Sequence, residues 1–155
     1  MRIPQGGFTV VELILVLMIV GVLAAVVGPR FFDRQVFDER LYFEQSLTAV
    51  RYAQKLALSS GCSIRARVDN GGYSLSYASA CGAVPAGALV SNPSGVSYAA
   101  GLPSGVSVQQ ALDVTFNSRG CVAAGSACGS GSQIGRVGGF SLAIHADTGF
   151  VEAHP

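Results

Sequence analysis

The sequence predicts an α+β chain in which one long N-terminal helix packs on a C-terminal antiparallel sheet. Three observations predict it. An apolar run extends from Phe8 to Val27, a helical stripe of apolar residues continues to about residue 60, and short segments of alternating apolar residues follow among Gly, Ser and Asn.

The apolar run, FTVVELILVLMIVGVLAAVV, is 20 residues long with a single charge, Glu12. At 1.5 Å per residue a helix of that length covers about 30 Å, the hydrocarbon thickness of a bilayer. A charged side chain at the centre of such a helix costs roughly 2.5–3.5 kcal/mol. Glu12 lies nearer the edge and costs less, yet it still asks for a partner. Ahead of the run stands a short polar leader, Met1 to Gly7. An ordinary signal peptide places its cleavage site after the apolar core, whereas here the polar-to-apolar boundary precedes it. The small residues around Ala24 offer a conventional site that would free a plain secreted domain, and Glu12 inside the core counts against it. Just beyond the run, Gly28-Pro29 predicts a kink or break, because proline removes a backbone donor and clashes with the preceding turn.

From Arg30 to about Ser59 the pattern predicts an amphipathic helix whose covered stripe is Phe43, Leu47, Val50, Ala53 and Ala57. Ser59-Ser60-Gly61 supplies its stop, with Gly61 suited to a left-handed cap. A hairpin follows. Ile64, Ala66 and Val68 alternate on one strand and Tyr73, Leu75 and Tyr77 on the next, with the turn at Asn70-Gly71-Gly72. With Gly71-Gly72 as the two turn residues, Cys62 falls opposite Cys81, within disulfide reach.

Further short strands are expected at Val96–Ala99, Val106–Val108 and Asp113–Phe116. Residues from Asn117 to Gly135 form a glycine-rich loop in which Cys121 and Cys128 close a small ring. A terminal hairpin runs from Gly139 to Glu152 around Asp147-Thr148-Gly149, with Phe140, Leu142 and Ile144 facing the helix.

Composition narrows the function classes. Ten Lys+Arg against nine Asp+Glu leave a formal charge of +1, so no global field draws polyanions. All four cysteines follow the apolar run, which fits two disulfides in an oxidising compartment. A metal site is the competing reading, but the chain has no C-x-x-C, and His145 and His154 lie far from the cysteines in sequence. Asp147-Thr148-Gly149 matches the aspartic-protease triplet in one copy only, and that chemistry needs two carboxylates. The bland reading is a turn. No phosphate-cradling loop and no nucleophile with a base are evident, so neither catalysis nor a cofactor is expected. Arginines flank the apolar run on both sides, Arg2 before and Arg30, Arg34 and Arg40 after, and do not by themselves orient it.

Gly7-Phe8-Thr9-Val10-Val11-Glu12 followed by a long apolar run resembles the class III signal of type IV prepilins and pseudopilins. The resemblance implies the type IV pilin fold, cleavage between Gly7 and Phe8 by a prepilin peptidase, and N-methylation of Phe8. It also implies a filament-core helix over residues 8–29 and a head over residues 30–155. Glu12 would then neutralise the new amine of Phe8 on a neighbouring subunit and set axial register, since a paired amine and carboxylate are tolerated where isolated charges are not. Pro29 matches a recurrent family position. The implied partners are other pilin or pseudopilin subunits, the peptidase, an inner-membrane assembly platform and the membrane itself. The implied location is the inner membrane with a periplasmic C-terminus, then a pilus or type II secretion pseudopilus.

Beyond the leader, Leu47 to Leu58 followed by the Cys62 to Val68 strand, and Gly135-Arg136-Val137 before a late hairpin ending in Thr148-Gly149-Phe150-Val151, are similar to the GspH/FimT group of minor pilins and pseudopilins and to minor subunits of MSHA pili. Some of those relatives bind DNA through a Gly-Arg-x-Arg motif. Here Gly135-Arg136-Val137-Gly138 keeps the first arginine only. Arg65, Arg67, Arg119 and Arg136 are the residues available for phosphate contact, with scattered solubilising charges as the plain alternative.

Overall fold

The computed structural model describes residues 7, 9–27, 34–92 and 94–154. The chain falls into two compact units, Met1–Arg34 and Gln35–Pro155.

The first unit contains α1, Val10–Val27. Thr9 caps it. Its hydroxyl accepts the N–H of Glu12 at 3.2 Å and its carbonyl that of Leu13 at 3.1 Å, satisfying donors a helix start leaves open. No face of the helix is polar, and its large apolar side chains are 44% to 74% exposed, so nothing within the unit covers them. The 18 residues rise about 27 Å, short of the roughly 30 Å of hydrocarbon. Among the described residues no helix is long and apolar enough to cross a membrane. The predicted span began at Phe8, which lies outside the described residues, as does the Pro29 kink.

In the second unit α2 runs Arg34–Ser60. It holds neither Gly nor Pro, so nothing in its interior breaks helical propensity. The stripe Phe43, Leu47, Val50, Ala53 and Ala57 is buried. Tyr42, Ser46 and Ala49 add a second buried row, and the Ser46 hydroxyl is satisfied by donating to the Tyr42 carbonyl at 2.8 Å. Gly61, at φ +72°, closes the helix, its N–H bonding the Ala57 carbonyl at 3.0 Å.

Among the described residues ten strands follow: β1 Ile64–Asp69, β2 Gly72–Tyr77, β3 Ala99–Ala100, β4 Val108–Gln110, β5 Leu112–Phe116, β6 Ala123–Ala124, β7 Ala127–Cys128, β8 Ser132–Val137, β9 Phe140–His145 and β10 Val151–His154. They make two four-stranded sheets, ordered β3-β2-β1-β5 and β10-β9-β8-β4, and a ribbon of β6 and β7. Every pairing is antiparallel. Only Ala111 separates β4 from β5, so the chain passes between sheets in one residue.

Helix α2 covers both sheets, which is why its buried surface is two rows wide. The Tyr42 ring lies 5.9 Å from Tyr73 on β2, and Phe43 stacks at 5.4 Å on Phe140 of β9. Ile64, Ala66, Val68, Leu112, Val114 and Phe116 complete the core from the first sheet. Val137, Leu142, Ile144 and Val151 complete it from the second.

Several expectations are corrected. The single long helix on one antiparallel sheet, the arrangement of the type IV pilin fold, is not what forms. The helices Val10–Val27 and Arg34–Ser60 are distinct elements, the first a short one, and the strands divide among three sheets. The broad α+β class is the part compatible with this architecture. In the first hairpin the turn residues are Asn70 and Gly71, because Asp69 pairs with Gly72. The Asp69 carboxylate accepts the Gly71 N–H at 2.7 Å and tightens that turn.

Gly72 instead belongs to β2, at φ +123°, where a Cβ would run into the Ala100 carbonyl of β3. Part of the expected glycine-rich loop is β8. Gly135 inside it is closely packed, since a Cβ there would lie 3.1 Å from Leu112 Cβ.

Candidate functional site

Among the sequence-predicted residues, Gly7 is exposed and Phe8 lies outside the described residues. Glu12 stands in the first turn of α1. Its backbone N–H is taken by Thr9, and its carboxylate makes no hydrogen bond or ion pair among the described residues. Taking α1 out of water also takes its one carboxylate out of water, which is costly unless that group is neutralised, hydrogen-bonded or paired.

The expected disulfides are present. Cys62 joins Cys81 with Cα atoms 5.8 Å apart, and Cys121 joins Cys128 at 5.5 Å. The route to the first bridge differs from the expectation. The ladder of β1 and β2 continues one step, Ala78 N–H to the Ser63 carbonyl at 2.8 Å. The chain then bends, and Cys81 pairs with Val84 in a small turn that brings it back over Cys62. The second bridge closes the β6–β7 ribbon, whose tip is held by the Arg119 guanidinium donating to the Ser126 carbonyl at 3.2 Å.

The four arginines named for phosphate contact do not act alike. Arg65 donates through two nitrogens to the carboxylate of Asp113, one bond measuring 2.7 Å. That doubly hydrogen-bonded guanidinium holds the Asp113 carboxyl below the usual carboxylate range, and the carboxylate in turn raises Arg65. Arg67 pairs with Asp69 at 2.6 Å. Arg119 is committed to the ribbon. Arg136, exposed on β8 between Gln110 of β4 and Ser141 of β9, is in no ion pair among the described residues.

Folding makes one cluster that sequence distance concealed. His145 and His154 both direct Nε2 at one carboxylate oxygen of Glu152, at 3.5 and 3.6 Å. The register of β9 against β10 places all three on the outer face of the second sheet. Period-two alternation would have put Glu152 and His154 on one face, but the pairing that adds His145 is visible only in three dimensions. Among the described residues no group of His, Cys, Asp and Glu is arranged to hold a metal ion. Asp147-Thr148-Gly149 is the β9–β10 turn, with the Asp147 carboxylate accepting the Thr148 N–H at 3.0 Å and the Thr148 hydroxyl accepting that of Phe150 at 3.2 Å.

A groove of about 370 Å³ lies along α2. Glu44, Gln45 and Thr48 form one wall, and Asn92, Ser97 and Tyr98, from the chain leading into β3, the other; Tyr73 of β2 also contributes. The second wall is ordered by its own bonds: Asn92 Oδ1 accepts the N–H groups of Ser94 and Val96 at 2.9 and 3.0 Å. Tyr98 is fixed by stacking on Tyr52 at 4.8 Å. Burial beside this wall pushes the Tyr73 phenol above its ordinary value, and the neighbouring Tyr98 adds to the shift.

No protein-family model matches the chain, and neither the curated proteins nor the solved structures compared with it include a match.

Proposed function

We propose that the chain is a structural subunit of an extracytoplasmic filament of the type IV pilus or type II secretion pseudopilus kind, cleaved between Gly7 and Phe8 and assembled through α1. The supporting observation is α1 itself, apolar on every side, uncovered within its own unit, and carrying one carboxylate at its capped end. Before assembly, the apolar segment that forms α1 holds the protein in the inner membrane. In the filament the same segment packs against its counterparts, and Glu12 meets the amine of a neighbouring Phe8. Two disulfides suit a head that works outside the cytoplasm.

Sequencing the N-terminus of the processed protein tests the first step, and a start anywhere other than Phe8 refutes it. Replacing Glu12 with Gln or Ala tests the second: incorporation into fibres is lost while membrane levels persist. Unchanged incorporation removes the register role.

A DNA-binding role within such a filament rests on Arg136, exposed and in no ion pair among the described residues. The expected result is a duplex gel shift that weakens with salt and disappears in Arg136→Glu. Absence of a shift at low salt ends that reading.

A further inference from the structure

The second sheet ends on β4 at one side and on β10 at the other. The β4 side is occupied, because Asn70 Oδ1 accepts the Val108 N–H at 3.2 Å and the chain turns directly into β5. The β10 side pairs with no strand among the described residues. An open edge of this kind is a template for another chain.

Hydrogen-bond parity shows which groups that edge offers. The His145 N–H donates to the Phe150 carbonyl at 2.9 Å, so two residues further along the ladder Glu152 bonds Ala143. Val151 and Ala153, in the alternate positions, turn their N–H and C=O outward. The Val151 carbonyl is already held by the Arg51 guanidinium of α2 at 3.3 Å. Ala153 keeps both of its groups outside the ladder.

These groups match a second β10 running antiparallel to the first. Symmetric pairing can set Val151 opposite Val151, Val151 opposite Ala153, or Ala153 opposite Ala153. The first two need the carbonyl that Arg51 holds, and the second also sets Glu152 against Glu152, a like-charge pair that destabilises. The third needs only the unclaimed groups of Ala153. It also sets Glu152 of each copy directly opposite His154 of the other, on the face where both side chains are exposed. The central residue must be small, since Arg40, Phe43 and Glu44 of α2 line a groove shared with Ala153, and alanine meets that need.

We infer that β10 pairs antiparallel with β10 of a second copy of this chain, centred on Ala153, with Arg51 excluding the other registers. The two four-stranded sheets then become one sheet of eight. Such a contact is isologous, so it closes at two copies and does not grow. It lies wholly within the second unit and stands or falls independently of cleavage and of assembly through α1.

The test is NMR on the full chain in detergent micelles, with labelled and unlabelled copies mixed at about 0.1 and 1 mM, concentrations suited to the weak affinity of so small an interface. The expected result is an isotope-filtered NOE between the Glu152 Hα of one copy and the His154 Hα of the other, atoms too far apart along one strand to give it. Exchange of the Ala153 amide slows about threefold at the higher concentration. Ala153→Pro removes the central donor without touching the ladder to β9 and abolishes the NOE. Glu152→Lys, at an exposed position, abolishes it by repulsion from His154, with the dispersion of the amide signals reporting that the fold persists. Association through α1 alone gives no NOE at β10 and overturns the inference. An NOE between the two Glu152 residues, or contacts at β10 that survive both substitutions, overturns it as well.

Discussion

The side-chain amide of Gln54 on α2 donates to the carbonyl of Gly120 at 3.1 Å, and the same nitrogen reaches the Thr148 carbonyl at 3.2 Å. One residue therefore ties the helix to the loop after β5 and to the turn between β9 and β10. Gln54→Ala leaves those carbonyls without this donor and lowers stability by about 1–2 kcal/mol. Gly149→Ala costs more, because Gly149 sits at φ +70° and a Cβ there would overlap the Gly120 carbonyl. Thermal melts of both variants, with the disulfides intact, check the order.

The Arg65–Asp113 pair carries a pH signature. The guanidinium's hydrogen bonds depress the Asp113 carboxyl in the folded state. Its contribution is therefore present above the unfolded carboxyl's value and is lost as pH falls through the lower, folded one. Side-chain NMR should find Asp113 titrating below the ordinary carboxylate range. Arg65→Gln brings that midpoint up and flattens the acid limb of the stability curve. Both side chains are nearly half exposed, so the effect is modest and shrinks with salt.

Tyr42 is 1% exposed and its hydroxyl has no hydrogen-bond partner among the described residues. Burial, the leading cause, pushes its phenol above the usual value. Tyr42→Phe removes an unsatisfied polar atom while keeping the ring against Tyr73, so stability stays level or rises by up to about 1 kcal/mol. In an ultraviolet titration Tyr42 and Tyr73 ionise later than free tyrosine. Their raised values mean that stability is full below the unfolded phenol's value and falls as pH climbs through the folded ones.

The two disulfides differ in what they restrain. Chain entropy gives about 3 kcal/mol for the bridge across 19 positions, Cys62–Cys81, and about 2 kcal/mol for the one across 7, Cys121–Cys128. Paired Cys→Ser variants should reproduce that order in denaturant midpoints. Loss of the smaller bridge should speed amide exchange chiefly in the β6–β7 ribbon.

Local patterns were legible where one physical cause dominated. The α2 stripe from Phe43 to Ala57, its Gly61 stop and the inward set Leu142 and Ile144 follow from periodicity and burial alone. The first hairpin turn was misplaced by one residue because the Asp69 carboxylate, rather than the glycine pair, decides where the strand reverses. Strand β8 was hidden because Gly135 looks like a loop residue until Leu112 is seen against it. The division into two sheets was hidden because Val106–Val108 and Asp113–Phe116 read as separate short strands, and nothing local says that β4 and β5 serve different ladders. At the groove, Glu44, Gln45 and Thr48 read as an ordinary solvated helix face. Only the fold sets Tyr73 and Tyr98 beside them.

The single-residue passage at Ala111 has a mechanical consequence. At Ala111 the passage has no slack, so a displacement of β4 is handed directly to β5, whereas the crossings from β3 to β4 and from β5 to β8 run over longer segments. Pulled from its two ends in an optical trap, the second unit should rupture in one force peak rather than yield sheet by sheet, and lengthening that passage with a few glycines should split the peak in two.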